Sequence, residues 1–213
     1  MFNLDETIAK DLLEGEDFPW TKLCKIHEFI IETGNKLDAE RFDKIKENVW
    51  VAKSANIAQN VTIIGPAIID ENAEIRHAAF IRENVIIGKN AVVGNSTELK
   101  NCILFNEVQV PHFNYVGDSI LGFRVHMGAG SIISNLKSDK SNIVIKNGKN
   151  KIETNLRKFG ALVGDNSEIG CNSCLNPGTI IGKNVTIYPL SNVRGAIQDN
   201  MIYKHKDNIV NKK

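Results

Sequence analysis

The stretch PHFNYVGD, Pro111 to Asp118, sets an imidazole beside a proline. Pro111 fixes the backbone, so His112 is presented from a stiff surface. Histidine is the side chain whose unperturbed pKa lies near neutrality, which makes it the natural acceptor of an amine or hydroxyl proton. Downstream, MGAGSIISN from Met127 to Asn135 leaves the main-chain N–H groups of Gly128, Ala129 and Gly130 uncovered by bulky side chains. A developing oxyanion or a pantetheine chain requires such groups. Cys24, Cys102, Cys171 and Cys174 form no disulfide framework, and the single C-N-S-C lacks the second pair that a tetrahedral zinc site needs, so no metal is expected.

These residues are positioned by a repeat. From Val51 to Leu99 every sixth residue is aliphatic: Val51, Ile57, Ile63, Ile69, Ile75, Ile81, Ile87, Val93 and Leu99. Four residues after each of the first eight sits a small or β-branched residue, from Ala55 through Ala91 to Thr97. A helix repeats at 3.6 and a strand at 2, so neither yields six. A period of six is that of a parallel β-helix, whose units bury their apolar sides only by stacking. The register returns at Val163, Ile169, Leu175, Ile181, Ile187 and Val193. Between the two runs it slips from Phe105 to Tyr115, resumes shifted at Leu121, Met127 and Ile133, and vanishes from Asn135 to Phe159. A solenoid fills its interior with its own aliphatic stack, so chemistry belongs on its surface or between chains, where the pattern is irregular.

Residues 1–48 read as a helical segment. Asp5 can cap a short helix through Leu13, Pro19 opens TKLCKIHEFIIET with Gly34 as its stop, and DAERFDKIKEN is a third helix ahead of the first hexad. Residues 49–197 form the β-helix, with a loop at 135–159 in which Asn147-Gly148 signals a hairpin. Residues 198–213 are a tail that alternates weakly, as a short hairpin does. The formal net charge of +1 supplies no field for nucleic acid. No apolar run reaches the roughly 20 residues of a membrane span and no signal peptide is visible, so a cytoplasmic location is expected.

The spacing R-x5-G-x5-G-N-x2-E-x-K from Arg82 to Lys100, H-x2-Y-x-G-D from His112, G-A-G ahead of Asn135, and Lys158-Phe159 before V-G-D-N together resemble one family. It is the C-terminal acetyltransferase domain of the bifunctional bacterial and archaeal enzymes that make UDP-N-acetylglucosamine. The resemblance implies a left-handed parallel β-helix, an exception to the usual right-handed crossover. It implies a homotrimer that acetylates glucosamine-1-phosphate from acetyl-CoA. The 48 or so residues before the solenoid are too few for the pyrophosphorylase domain, so only the acetyltransferase half is expected. Carried over residue by residue, His112 falls on the catalytic base and Asn135 on the amide that positions it. Arg82, Lys100, Tyr115 and Lys158 fall on sugar-phosphate contacts, chemistry that suits Arg and Lys. Ala129 matches the amide near the acetyl carbonyl and Cys171 a position near the thioester, while Pro189 and Lys206 align with coenzyme contacts. His126 stands where the bacterial family has an asparagine that contacts the sugar. If it faces the acceptor phosphate, it adds a third cation to Arg82 and Lys100. Leu136 replaces a tyrosine, and the loop 136–157 is longer than in the bacterial enzymes.

The expected function is thus acetyl-CoA-dependent N-acetylation of an amino-sugar phosphate, without metal, nucleic acid or membrane. The alternatives are another amino sugar, a nucleotide sugar or a hydroxyl as acceptor, or a catalytically silent solenoid that binds a sugar phosphate. A hydratase of the carbonic anhydrase type needs a close-spaced histidine pair that His77, His112 and His126 do not provide.

Overall fold

In a computed structural model, which describes residues 1–15 and 18–212, the hexads wind into a three-sided parallel β-solenoid. Face A runs from Asn56–Ile57 to Met201–His205, and face B from Thr62–Ile63 to Asn192–Val193. Face C runs from Val49–Ala52 to Ala196–Ile197. The winding is that of the left-handed hexapeptide β-helix. Glu74 lies over Asn56, Phe80 over Thr62 and Val85 over Ala67, so one coil takes 18 residues, three hexads. From Ile69 onward the sixth-residue aliphatics of the first run, among them Ile75, Ile81, Val93 and Leu99, point inward and are fully or almost fully buried, whereas Ile57 near the open end is partly exposed. Left-handed backbone at the corners falls mostly on asparagine, as at Asn72, Asn84, Asn90, Asn166 and Asn184, where the short amide tolerates it best after glycine.

The register slip lies elsewhere than the hexad count suggests. Val110 and Val116 keep the six-residue spacing; the residue is lost between Leu99 and Leu104 and again between Val116 and Leu121. Both losses are at the corner between faces B and C. Arg82, Glu83 and Asn84 make that corner in one coil, whereas Glu98–Leu104 and Tyr115–Leu121 run through it as unbroken strands. Only Lys100-Asn101 and Gly117-Asp118 turn these coils, with φ of 47° at both Asn101 and Asp118.

On face C the outward residues Ile68, Ile86, Ile103, Ile120 and Leu162 are as buried as the inward ones. They are covered by the N-terminal segment, whose helix Ile26–Gly34 packs Ile26 and Ile30 on this face. The start of the chain is tied down by Asp165, which accepts the Asn3 N–H at 2.8 Å and the Phe123 N–H at 3.0 Å. Three details of this segment differ from expectation. Asn3, not Asp5, caps the first turn, which is a 3-10 turn Leu4–Glu6 followed by a short helix Lys10–Leu13. Gly34 does not stop its helix by a left-handed turn; a side chain there would collide with the Trp50 ring, so the glycine permits close packing. DAERFDKIKEN is not a helix: Phe42–Lys46 pairs antiparallel with Val49–Ala52. The first rung has an open edge that a strand satisfies and a helix with a thin apolar face does not.

The loop at 135–159 leaves the corner between faces B and C through a neck where Leu136 bridges Lys158. It contains the expected hairpin, Val144–Asn147 against Asn150–Glu153, turned at Gly148 with φ 58°. The hairpin folds back along the same corner. A side-chain carbon at Gly178 would come within 2.6 Å of Ile143, and one at Gly195 within 2.7 Å of the Lys146 carbonyl. The C-terminus forms a second hairpin, Met201–His205 against Asn208–Asn211. No helix among the described residues is long and apolar enough to cross a membrane.

Candidate active site

The shortened corner gathers most of the expected acceptor contacts. Lys100 lies directly over Gly117 in the register, and Glu98 over Tyr115. Arg82, one coil earlier, holds Glu98 at 2.9 Å and lies 3.5 Å from Glu83. The Lys100 ammonium, 15% exposed, sits 3.6 Å from Asp118 and 3.8 Å from Glu83. Asp118 is buried and accepts the Asn101 amide at 2.8 Å on one oxygen and the Asn135 amide on the other. The Asn135 amide and the Tyr115 hydroxyl occupy the space over Gly117: a side-chain carbon there would lie 2.7 Å from the first and 2.6 Å from the second. Burial, then the charges of Asp118 and Glu98, push the Tyr115 pKa above its ordinary value, so the phenol remains a hydrogen-bond donor. Lys158 stands exposed at the neck beside Asn135, whose carbonyl accepts the Phe159 N–H at 3.0 Å. Arg82, Lys100, Tyr115, Asn135 and Lys158 therefore share one corner.

The corner between faces A and B carries the others in a column. Register places His112 beside Asn95. The Gly130 N–H donates to the His112 carbonyl, the Asn172 N–H to that of Ala129 and the Leu190 N–H to that of Cys171. His112, Ala129, Cys171 and Pro189 thus follow one another down the corner. The His112 ring is exposed, and its main chain is fixed by buried Asn114, which accepts the His112 N–H at 3.1 Å. The Asn114 amide donates to the Gly128 and Ser131 carbonyls at 2.9 and 3.1 Å, clipping the histidine's corner to the glycine corner of the next coil. Gly128 lacks a side chain because one would press 2.7 Å from the Cys171 nitrogen. The Ala129 N–H donates to no group among the described residues, which leaves it available to a ligand oxygen.

Two expected juxtapositions do not form within the chain. Asn135 binds Asp118 on one corner while His112 sits on the other, with the strand residues Tyr115 and Val116 between them. His126 lies on face A, where its Nδ1 meets Glu168 at 2.8 Å instead of joining Arg82 and Lys100. Lys206 occupies the turn of the C-terminal hairpin. Asp118, Gly117, Glu98 and Asn114 are site residues that sequence reasoning did not single out. All four lie inside the quoted motifs, and a buried carboxylate or amide needs bonded partners that spacing alone does not reveal.

The family described as the GMPPB C-terminal domain matches residues 63–153. Over 96% of its length the chain is 35% identical to the bifunctional protein GlmU of Methanococcus aeolicus, of which it spans 54%. It is 34% identical over 66% of its length to a bifunctional sugar-1-phosphate nucleotidylyltransferase/acetyltransferase of Sulfurisphaera tokodaii, of which it spans 40%. The chain thus spans about half or less of these relatives. A hexapeptide transferase family protein from Anaplasma phagocytophilum shares the fold, with 18% identity and a TM-score of 0.50 over 73% of this chain and 72% of that one. Sequence and architecture together make this chain a hexapeptide-repeat left-handed β-helix related to the C-terminal acetyltransferase part of the GlmU proteins.

Proposed function

We propose that the protein transfers an acetyl group from acetyl-CoA to the amine of an amino-sugar phosphate, with glucosamine-1-phosphate as the preferred acceptor. Arg82, Lys100 and Lys158 hold the phosphate, a charge-assisted contact that suits their geometry. Tyr115 and Asn135 orient the sugar. The coenzyme lies along the column Ala129, Cys171 and Pro189. His112 takes a proton from the amine as its nitrogen attacks the thioester carbon. The Ala129 N–H stabilises the oxyanion, and as the tetrahedral adduct collapses the C–S bond breaks and His112 returns its proton to the sulfur, releasing CoA as the thiol. General-base assistance contributes about 10²–10⁴ in rate, and positioning and oxyanion contacts supply the rest.

The observation that carries this reading is the placement of the histidine column and the phosphate cations on the two edges of one open face. Face C is covered by the N-terminal segment; faces A and B are not. Within one chain the edges of face B do not meet, so a threefold assembly that sets the histidine corner of one copy against the cation corner of the next completes the site. Phe113, Ile132 and Leu190, all exposed apolar residues on face B or its histidine corner, suit such an interface.

A thiol-release assay with acetyl-CoA and a panel of phosphorylated and unphosphorylated amino sugars tests the reading. Glucosamine-1-phosphate is expected to give the highest kcat/KM. Preference for an unphosphorylated sugar refutes the phosphate assignment, and a stable monomer by light scattering refutes the shared site.

A further inference from the structure

A ladder of side-chain hydrogen bonds runs from the N-terminal segment to the acceptor corner. Asn84, Asn101 and Asp118 stack where successive coils turn from face B to face C, each in left-handed backbone with φ of 62°, 47° and 47°. The Asn101 amide donates to Asp118 Oδ1 at 2.8 Å, and the Asn135 amide to the other oxygen. The Asn84 amide donates to Asn101 Oδ1 at 3.3 Å. Nδ1 of His27, on the helix Ile26–Gly34 that covers face C, lies 2.9 Å from Asn84 Oδ1. Left-handed backbone alone does not demand such a chain: Asn72, Asn90 and Asn166 share it and make no side-chain hydrogen bond among the described residues.

The direction of the ladder is dictated by its one carboxylate. Asp118 only accepts, so Asn101 gives it the NH2 side and turns its carbonyl oxygen to Asn84. Asn84 must then donate in the same direction, which leaves its own oxygen for His27. The imidazole meets that oxygen only with a proton on Nδ1, so its neutral form carries the proton there and leaves Nε2 bare. Hydrogen bonds pointing one way polarise one another, and here their positive ends lie toward Asp118. Asp118 Oδ1 is also the oxygen 3.6 Å from the Lys100 ammonium. The Asn101 amide is its nearer partner; without it the ammonium closes on the carboxylate and is withdrawn from an acceptor phosphate.

We infer that Asn101, Asn84 and His27 are positioning residues for the acceptor corner, through which the N-terminal helix sets how tightly Asp118 draws on Lys100 and Asn135. The role rests on the acetyltransferase reading; the direction of the ladder does not. Two measurements on the full chain therefore test them separately. Asn101→Gly and Asn84→Gly keep the left-handed backbone and cut the ladder, His27→Phe removes its last donor, and His27→Gln supplies an amide donor instead. In a thiol-release assay the KM for the amino-sugar phosphate is expected to rise about tenfold in Asn101→Gly, less in Asn84→Gly and about two- to threefold in His27→Phe. The KM for acetyl-CoA is expected to stay unchanged, and His27→Gln to behave as wild type. Long-range ¹⁵N NMR at alkaline pH, on protein labelled in its five histidines, is expected to show His27 protonated on Nδ1, its signal identified by its loss in His27→Gln. A His27 protonated on Nε2 reverses the ladder and overturns the inference. So do a lowered thermal midpoint with no change in KM, equal KM rises for both substrates, and a His27→Phe enzyme kinetically identical to wild type. An Nδ1-protonated His27 in a protein that transfers no acetyl group overturns the proposed function and leaves the ladder standing.

Discussion

Asp118→Asn isolates the carboxylate on which the acceptor corner is assembled. The native side chain accepts amides from Asn101 and Asn135 on its two oxygens and stands 3.6 Å from the Lys100 ammonium. Asparagine matches its shape but offers one acceptor oxygen and one amide donor, so only one of the two incoming amides is satisfied. Asn101 is held from its other side by Asn84, whose amide donates to it at 3.3 Å, whereas Asn135 sits at the loop neck; it is therefore the Asn135 bond that breaks. A hydrogen bond to a charged, buried acceptor is worth about 1.5–3 kcal/mol. For a domain of this size its removal lowers Tm by roughly 3–12 °C. Realised fully in the transition state, it lowers kcat about 10- to 150-fold. The acceptor KM moves differently: removing a negative charge beside Lys100 strengthens that cation toward phosphate, so KM stays level or falls. Thiol release at saturating acetyl-CoA with varied amino-sugar phosphate, alongside a thermal melt, separates these effects. An unchanged kcat with a lowered Tm refutes the positioning role, and an effect confined to a raised KM shows that Lys100 was displaced.

His112→Ala is expected to lower transfer about 100-fold or more with Tm and CoA affinity unchanged, and near-normal turnover refutes the base assignment. Arg82→Ala and Lys100→Ala each raise the KM for a phosphorylated acceptor at least tenfold while sparing acetyl-CoA, as contacts worth about 1.5–3 kcal/mol require. Equal losses for both substrates indicate misfolding instead. Gly117→Ala places a methyl within 2.7 Å of the Asn135 amide and the Tyr115 hydroxyl, so activity falls steeply while circular dichroism is retained. At pH 8 iodoacetamide is expected to label exposed Cys171 and not buried Cys102, whose thiol is pushed far up by burial, and CoA slows the labelling of Cys171; indifference to CoA removes Cys171 from the coenzyme track.

The solenoid was legible because a six-residue period admits few architectures, and its aliphatic set is the observed core from Ile63 to Val193. The Asn-Gly hairpin and the loop's exit corner were legible for the same reason, as local turn chemistry interrupting a strict period. The helix expected at residues 38–48 was not, because its short charged sequence is decided by the open edge it covers, a tertiary need that propensity does not encode. The position of the register slip was likewise hidden: Val110 and Val116 keep the count, so the missing residues show only once Lys100-Asn101 and Gly117-Asp118 are seen turning where three residues turned before. His126 illustrates a further limit. An outward strand position fixes the face a side chain leaves from, and its partner, Glu168, lies 42 positions away across the loop.

The deletions and the insertion at one corner are parts of a single device. A three-residue corner such as Arg82-Glu83-Asn84 spreads its side chains along the edge, whereas a two-residue corner stacks Lys100 on Gly117 and Asn101 against Asp118. Stacking places a cation over a residue with no side chain, and the Tyr115 hydroxyl and the Asn135 amide take up the space that a side chain at Gly117 would fill. In the next coil the chain departs altogether, so Asn135 and Lys158 flank the opening at the loop's neck. The regular hexads on either side hold this arrangement between layers of close-packed aliphatics that tolerate little movement. The inserted hairpin then returns along the same corner to set Lys146 beside Arg194 at the far end of the solenoid. The cations of the shortened corner are held in place by Glu83, Glu98 and Asp118, so the corner is assembled before a ligand arrives.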